Sequence, residues 1–199
     1  MAEAQQEQLR EEAPGRIQQV EEDGELLPIL WSGSAPHASM LSVLPHWPLI
    51  PGRLFVALAR VAPTPRGTIG MSHLTHDAHQ RLGSPAIADL MAQASAALTR
   101  GLQCDRRSSG LIALHREGSL AASALALPDF YQQMSGLLND KRLVVGLPCP
   151  DQLVVAGANS GRTQEIRQMV LESPYPDTEL VPSVLVVDRV GFHLIAERG

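Results

Sequence analysis

The chain has 199 residues, of which 44% are hydrophobic and 19% are charged, and its formal net charge is −5. This length and composition fit one globular domain with a sizeable core. Residues 1–25 carry eight acids and two arginines, so the remaining chain is nearly neutral. It lacks the basic surface that nucleic acid or an anionic membrane requires. We therefore expect no nucleic-acid partner and no membrane partner.

The cysteine content and the N-terminus bear on the compartment. Cys104 and Cys149 are too few for a disulfide scaffold. The acidic N-terminus has no apolar secretory core, and no apolar run reaches the roughly 18–20 residues of a membrane span. The sequence therefore predicts a soluble cytoplasmic protein, and its composition does not fix the oligomeric state.

From residues 1–67 we predict a tail, an edge strand, a loop and a second strand. Residues 1–24 are rich in Glu and Gln and predict a disordered acidic tail. Residues 26–31 predict an edge strand because Pro28 cannot donate to a ladder. Residues 32–52 contain four prolines and predict a long loop. Leu54 to Val61 predicts a strand that ends in a turn at residues 63–67.

Two helices are predicted next. Ser72 is a suitable N-cap for a helix whose Leu74, Ala78 and Leu82 share one inward face and which ends at Gly83. Ser84-Pro85 begins a second helix, with proline at its first position, and Gly101 ends it.

The second half predicts a strand at residues 110–115, a turn at residues 117–118, an apolar segment at 119–127 and a third helix from Pro128 to Asn139. Residues 143–147 and 153–156 are apolar on both faces and predict a central antiparallel hairpin. A fourth helix over 161–172 and a closing hairpin of residues 183–187 and 192–196 follow. The fold class is therefore α+β: a mixed, largely antiparallel sheet covered by three to four helices. Residues 25–199 form one predicted domain, divisible into sub-lobes 25–103 and 108–199.

The central hairpin and the first predicted helices resemble a known family. Val144-Val-Gly-Leu-Pro148-Cys-Pro-Asp151-Gln-Leu153-Val-Val resembles the run "vvaiPxRDxLlv" of a bacterial family that is known as a numbered domain of unknown function. Gly70 to Gly83 and the helix up to Leu102 are similar to its first half, so the resemblance covers roughly residues 26–190. It implies an α+β fold and no known activity. Pro150 replaces the arginine of the family's motif, and only Asp151 carries over.

The loop after the central hairpin is the first candidate site. It follows a strand and precedes a helix, where backbone N–H groups can hold an anion. It is one residue shorter than a Walker loop and has Arg162 in the lysine position. The candidate ligand-binding residues are Asp151, Asn159, Ser160, Gly161, Arg162 and Thr163. The alternative interpretation is that Asn159 or Ser160 caps the next helix.

Three histidines, His73, His76 and His79, and the cysteine of the hairpin turn, Cys149, are further candidates. His73, His76 and Asp77 could bind a metal, but helical spacing turns both histidines toward solvent, so we expect a solvated polar face, no metal and no cofactor. Cys149 has no histidine partner near it in sequence, so we expect no catalytic residue.

Aromatic side chains in the proline-rich segment allow two interpretations. Trp31, Trp47 and Leu49 either hold this segment on the core or form a patch for a partner. We favour the first interpretation.

These observations lead to two functional hypotheses. The first is a non-enzymatic protein-interaction or accessory, immunity-like module that binds another protein. The second is a domain or enzyme that binds a small anion or phosphate ligand through residues 157–163.

Overall fold

The computed structural model describes residues 20, 24–63, 68–106, 110–116, 120–174 and 178–198. Sheet 1 contains β1 (Glu25–Ser32), β2 (His46–Ile50), β3 (Leu54–Pro63) and β4 (Ile69–His73). Sheet 2 contains β5 (Leu102–Arg106), β6 (Leu111–Arg116), β7 (Arg142–Cys149), β8 (Gln152–Gly157), β9 (Ser183–Asp188) and β10 (Phe192–Glu197). The α-helices are α1 (His76–Arg81), α2 (Ile87–Gly101), α3 (Phe130–Leu138) and α4 (Thr163–Glu172). Short 3-10 helices span Ala38–Val43, Ala121–Ala126 and Ala158–Ser160. The chain has the α+β fold that the sequence predicts.

Sheet 1 is organised around β3. β1 pairs antiparallel with one edge of β3 along its whole length. The other edge of β3 is shared, since β2 pairs with its first half and β4 with its second half. β1 therefore lies at an edge of the sheet, as predicted, and there Pro28 interrupts no central ladder.

Sheet 2 has the strand order β10-β9-β7-β8-β6-β5, and all of its pairs are antiparallel. Both predicted hairpins, β7–β8 and β9–β10, are confirmed. Along β7, Leu143, Val145 and Leu147 face the main core, whereas Val144 packs with the helix α4. The central strands are therefore buried on both faces, as their apolar sequence predicts.

Gly146 allows α4 to lie directly on β7. A Cβ atom at this position would lie 2.7 Å from Cγ2 of Ile166 and 2.9 Å from Cγ2 of Val170, both on α4. Real Cβ atoms do not approach other atoms so closely, so glycine is required here. This contact fixes α4 on sheet 2.

The main core lies between the two sheets. It combines Ile29 and Val56 of sheet 1 with Val155 of sheet 2, and Leu98 of α2 and Phe130 of α3 complete it. The relative position of the two sheets is therefore set by apolar burial, the dominant favourable contribution to folding.

The prediction of a loop over residues 32–52 was wrong. This segment contains a 3-10 helix and the strand β2, and Pro48 is compatible with β2 because β2 pairs with β3 alone among the described strands. Trp31 is buried, with 3% of its surface exposed, and Trp47 and Leu49 pack against the main core. These side chains hold the segment on the core.

The start of the first helix was also predicted wrongly. Ser72 lies in β4 and does not cap a helix. The backbone N–H of Leu74 donates to the carbonyl of Leu58 over 2.8 Å, which extends the strand pairing past the predicted helix start. α1 begins at His76, and the Thr75 hydroxyl accepts from the Ala78 N–H at 3.1 Å. Leu82, predicted to face inward, is 54% exposed.

Other boundaries differ less. α2 begins at Ile87, two residues after the proline that was expected at its first position, and it ends at Gly101 as predicted. Residues 102–106, for which no strand was predicted, form the edge strand β5. The predicted tail, apart from Val20 and Gly24, and most of the turns at residues 63–67 and 117–118 lie outside the described residues. Among the described helices, none is long and apolar enough to span a membrane.

Candidate functional site

The acidic cleft is the larger of the two main cavities found among the described residues, with a volume of about 550 Å³. It is bounded by β4, the turn between β7 and β8, the residue before the second 3-10 helix, and the chain after α4. Its lining residues are Ile69, Met71, Leu120, Cys149, Pro150, Asp151, Gln152, Ser173, Pro174, Thr178 and Glu179. The walls are thus largely apolar, and two carboxylates lie among them.

Asp151 reaches the cleft because Pro150 and Asp151 form the turn between β7 and β8. Its Oδ1 atom accepts a hydrogen bond from the backbone N–H of Leu120 at 3.0 Å. The carbonyl of Pro150 accepts from the N–H of Ala122, also at 3.0 Å. Leu120 is buried and has a φ of 69°, a left-handed conformation that this contact holds in place. The turn therefore fixes the start of the second 3-10 helix.

Glu179 is the second carboxylate of the acidic cleft. Burial raises the pKa of its side chain, the nearby Asp151 carboxylate raises it further, and its own backbone N–H opposes this effect. No arginine, lysine or histidine of the described residues lies within ion-pair distance of this carboxylate. The negative charge of Glu179 is therefore poorly compensated by the described part of the chain.

The main chain around Glu179 is firmly attached to β1. The carbonyl of Glu179 accepts from the N–H of Ser32 at 2.8 Å, and the Ser32 hydroxyl accepts from the N–H of Val181 at 3.0 Å. Both contacts join the end of sheet 1 to the segment before β9. Glu179 was not predicted as a site residue, because it enters the cleft through pairing between distant parts of the chain.

Cys149 also lines the acidic cleft, but it is not an activated nucleophile. Burial raises the pKa of its thiol, the Asp151 carboxylate adds to this effect, and N–H groups of Asp151 and Gln152 oppose it. No histidine of the described chain lines the cleft. A thiol with a raised pKa and no histidine among the described residues of the cleft lacks the features that usually activate a catalytic cysteine.

The loop of residues 157–163 lies at the opposite end of β8 from Asp151. β8 spans six residues, so the two parts of the predicted ligand-binding set are separated by about 20 Å. The structure therefore does not bring Asp151 together with Asn159, Ser160, Gly161, Arg162 and Thr163.

Asp140 occupies the position at this loop where an anion was expected. Its Oδ2 atom accepts from the backbone N–H of Asn159 at 3.1 Å, and its Oδ1 accepts from the Asn159 side chain at 3.4 Å. The N–H of Arg142 donates to Oδ1 at 3.0 Å and is the largest cause of the lowered pKa of Asp140. A Cβ atom at Gly157 would lie only 2.6 Å from Oδ2, so glycine makes room for this carboxylate.

The rest of the loop is also engaged within the chain. Arg162 Nη1 contacts Glu165 Oε2 at 2.8 Å, and the Ser160 hydroxyl donates to the carbonyl of Gly157 at 2.6 Å. The expectation that Asn159 or Ser160 caps the next helix was wrong. α4 begins at Thr163, its N-cap position is Arg162, and no side chain makes a capping hydrogen bond there.

The three histidines lie in different environments. His73 belongs to β4, where its ring centroid lies 4.9 Å from that of Trp31, so the prediction that it faces solvent on a helix was wrong. His76 and Asp77 are exposed on α1, and His79 Nε2 lies 2.8 Å from the Pro85 carbonyl. Among the residues with described positions, no group of three or more His, Cys, Asp or Glu side chains could hold a metal ion.

Comparison with protein-family models, with curated proteins and with solved structures gives no match to this chain. The resemblance of Val144 to Val155 to a bacterial family motif therefore stays a prediction.

Proposed function

We propose that this chain is a protein-interaction module, and that the acidic cleft binds a segment of a partner protein in which a Lys or Arg side chain is flanked by apolar residues. The observation that carries this proposal is Glu179: a partly buried carboxylate with no cationic partner among the described residues, set in a largely apolar cleft. A cation from a partner would compensate this charge, and the apolar walls would pack around its flanking side chains.

The apolar wall supports a protein partner. Ile69 is 40% exposed at the rim, and Met71, Pro150 and Pro174 line the cleft beside it. Methionine adapts to different apolar partners, and a cleft of about 550 Å³ accommodates one or two side chains of a bound segment.

The setting of this activity is part of the same proposal. Cys104 and Cys149 are both free thiols, as expected of a protein kept in a reducing compartment, so we assign the module to the cytoplasm. An accessory, immunity-like role in a bacterium agrees with a binding cleft that contains no activated nucleophile.

A random-sequence peptide library displayed on phage tests the proposal. We expect selected peptides to contain Lys or Arg beside apolar residues. An enriched peptide should bind Glu179→Gln at least about tenfold more weakly, because a hydrogen bond to a charged group contributes about 1.5–3 kcal/mol. The matched control is Asp89→Asn, which removes an exposed carboxylate from the first turn of α2 and should leave the affinity unchanged. Selected peptides without basic residues, or equal affinity for both variants, would contradict the proposal.

The alternative proposal is that the loop of residues 157–163 binds a small anion. It has less support because Asp140 already accepts the Asn159 N–H and Glu165 already contacts Arg162. Its test is a thermal-shift measurement with inorganic phosphate on the intact chain. Stabilisation that Arg162→Ala abolishes would favour the loop over the acidic cleft.

A further inference from the structure

The basic pocket is a second, smaller cavity of about 260 Å³. It is lined by Arg60 of β3, by Ser72, His73 and Leu74 at the end of β4, and by Ala78, Arg81 and Leu82 at α1. Ligand pockets usually measure about 300–1,000 Å³, so this one suits only a compact molecule. β4 thus contributes to the acidic cleft and to the basic pocket.

The charge of the basic pocket is positive and poorly compensated. Arg60 Nη1 donates to the Gly24 carbonyl at 2.9 Å, and no carboxylate is found among the described residues that line the pocket. Neither Arg60 nor Arg81 lies within ion-pair distance of a carboxylate among the described residues, even though Asp77 is one helical turn before Arg81. Two guanidinium groups therefore border a cavity to which the described residues supply no counter-charge.

The remaining walls are apolar or neutral. Leu74, Ala78 and Leu82 contribute aliphatic surface. Leu82 is an exposed large hydrophobic residue, whereas Leu74 is buried. Burial lowers the pKa of His73, so near neutral pH its ring adds aromatic surface and no charge. Guanidinium groups bind carboxylates and phosphates through paired hydrogen bonds.

We propose that the basic pocket binds a small organic anion, in which a carboxylate or phosphate head contacts Arg60 and Arg81 and a compact apolar body packs against Leu74, Ala78 and Leu82. This site is separate from the acidic cleft and from the loop of residues 157–163. It is independent of the protein-interaction proposal, because none of its charged residues lines the acidic cleft.

The test uses NMR titration of the intact chain with benzoate and with phenyl phosphate, and benzyl alcohol serves as the uncharged probe. We expect saturable shifts of the backbone amides of residues 72–82 with at least one of the anions, and none with benzyl alcohol. Inorganic phosphate should bind more weakly than phenyl phosphate, since it lacks the apolar body.

Arg81→Gln is the decisive variant. Arg81 has no hydrogen bond or ion pair among the described residues, so this variant should fold normally and bind the anion at least about tenfold more weakly. The matched control is Arg189→Gln in the exposed turn between β9 and β10, which should bind like the original chain. The proposal is overturned if no anion gives saturable shifts, if the shifts cluster at residues 157–163, or if the two variants bind equally.

Discussion

The acidic cleft and the basic pocket share β4 but leave charges of opposite sign uncompensated. In the cleft Glu179 is partly buried and this burial raises the pKa of its carboxyl group, so its charge has an energetic cost before any partner binds. In the pocket neither Arg60 nor Arg81 has a carboxylate of the described residues within ion-pair distance, but Arg60 is only half-buried and Arg81 is exposed to water. The costly charge of Glu179 thus lies in a segment whose main chain is held by two hydrogen bonds to Ser32, whereas the more exposed charges of the pocket need no such support.

The two regions also differ in how much of the fold depends on their charged residues. Asp151 accepts a hydrogen bond from the backbone N–H of the buried Leu120, whereas the side chain of Arg81 makes no hydrogen bond or ion pair with another described residue. We expect Asp151→Ala to lower the free energy of unfolding by about 1–3 kcal/mol, because a buried donor loses its acceptor. Arg81→Ala should change it by less than about 0.5 kcal/mol. Urea unfolding of both variants measures this difference.

Asp151→Asn is the control for this first prediction, since its side-chain carbonyl can still accept from Leu120. It should recover much of the stability that Asp151→Ala loses. If Asp151→Ala and Arg81→Ala had equal effects, Asp151 would not hold the 3-10 helix, and this contrast between the cleft and the pocket would disappear.

Glu179 should make the protein less stable as the pH rises. Its folded-state pKa is raised by burial, so below the ordinary glutamate pKa of about 4.3 both states are protonated and no penalty exists. As the pH rises through the raised folded pKa, the unfolded chain has already lost its proton and the folded chain must bury a charge. Glu179→Gln should therefore raise the melting temperature near neutral pH, but not below about pH 4.

Thermal unfolding of Glu179→Gln and Asp89→Asn at both pH values tests this second prediction. The exposed Asp89 should show no comparable gain. A Glu179→Gln chain that is less stable than the original at neutral pH would mean that the carboxylate has a stabilising partner, and the case for an external cation would fail.

The sequence was sufficient to predict the parts of the fold that local patterns determine. Both hairpins of sheet 2 follow from apolar runs separated by short turns, and Gly83 and Gly101 lie at or just after the ends of their helices. The strand β2 was not predicted because prolines such as Pro45 and Pro48 are typical of a loop. Its place depends on pairing with β3, which no local pattern encodes.

The candidate site was less predictable than the fold. Asp151 was expected to be a functional residue, but its neighbour Glu179 is 28 positions away, and the hydrogen bonds to Ser32 of β1 hold the segment of Glu179 at the cleft. Conversely, the loop of residues 157–163 has the local pattern of an anion site, and Asp140, 19 residues before Asn159, supplies the carboxylate from within the chain. In both cases a long-range contact decides what a local motif does.

His73, in the basic pocket, should make the stability of the fold depend on pH in the opposite sense to Glu179. This is the smallest of the three predicted effects. Burial lowers its pKa, so the unfolded chain takes up a proton near pH 6.5 while the folded ring stays neutral to lower pH. Stability therefore falls as the pH drops through this range. His73→Phe keeps a ring against Trp31 and removes the proton, so the variant should lose less stability between about pH 7 and pH 5. Urea unfolding at these two pH values measures the difference, and His76→Phe on the exposed face of α1 is the control. If His73→Phe kept the original pH dependence, the ring would titrate alike in both states, and the opposition between the two cavities would rest on Glu179 alone.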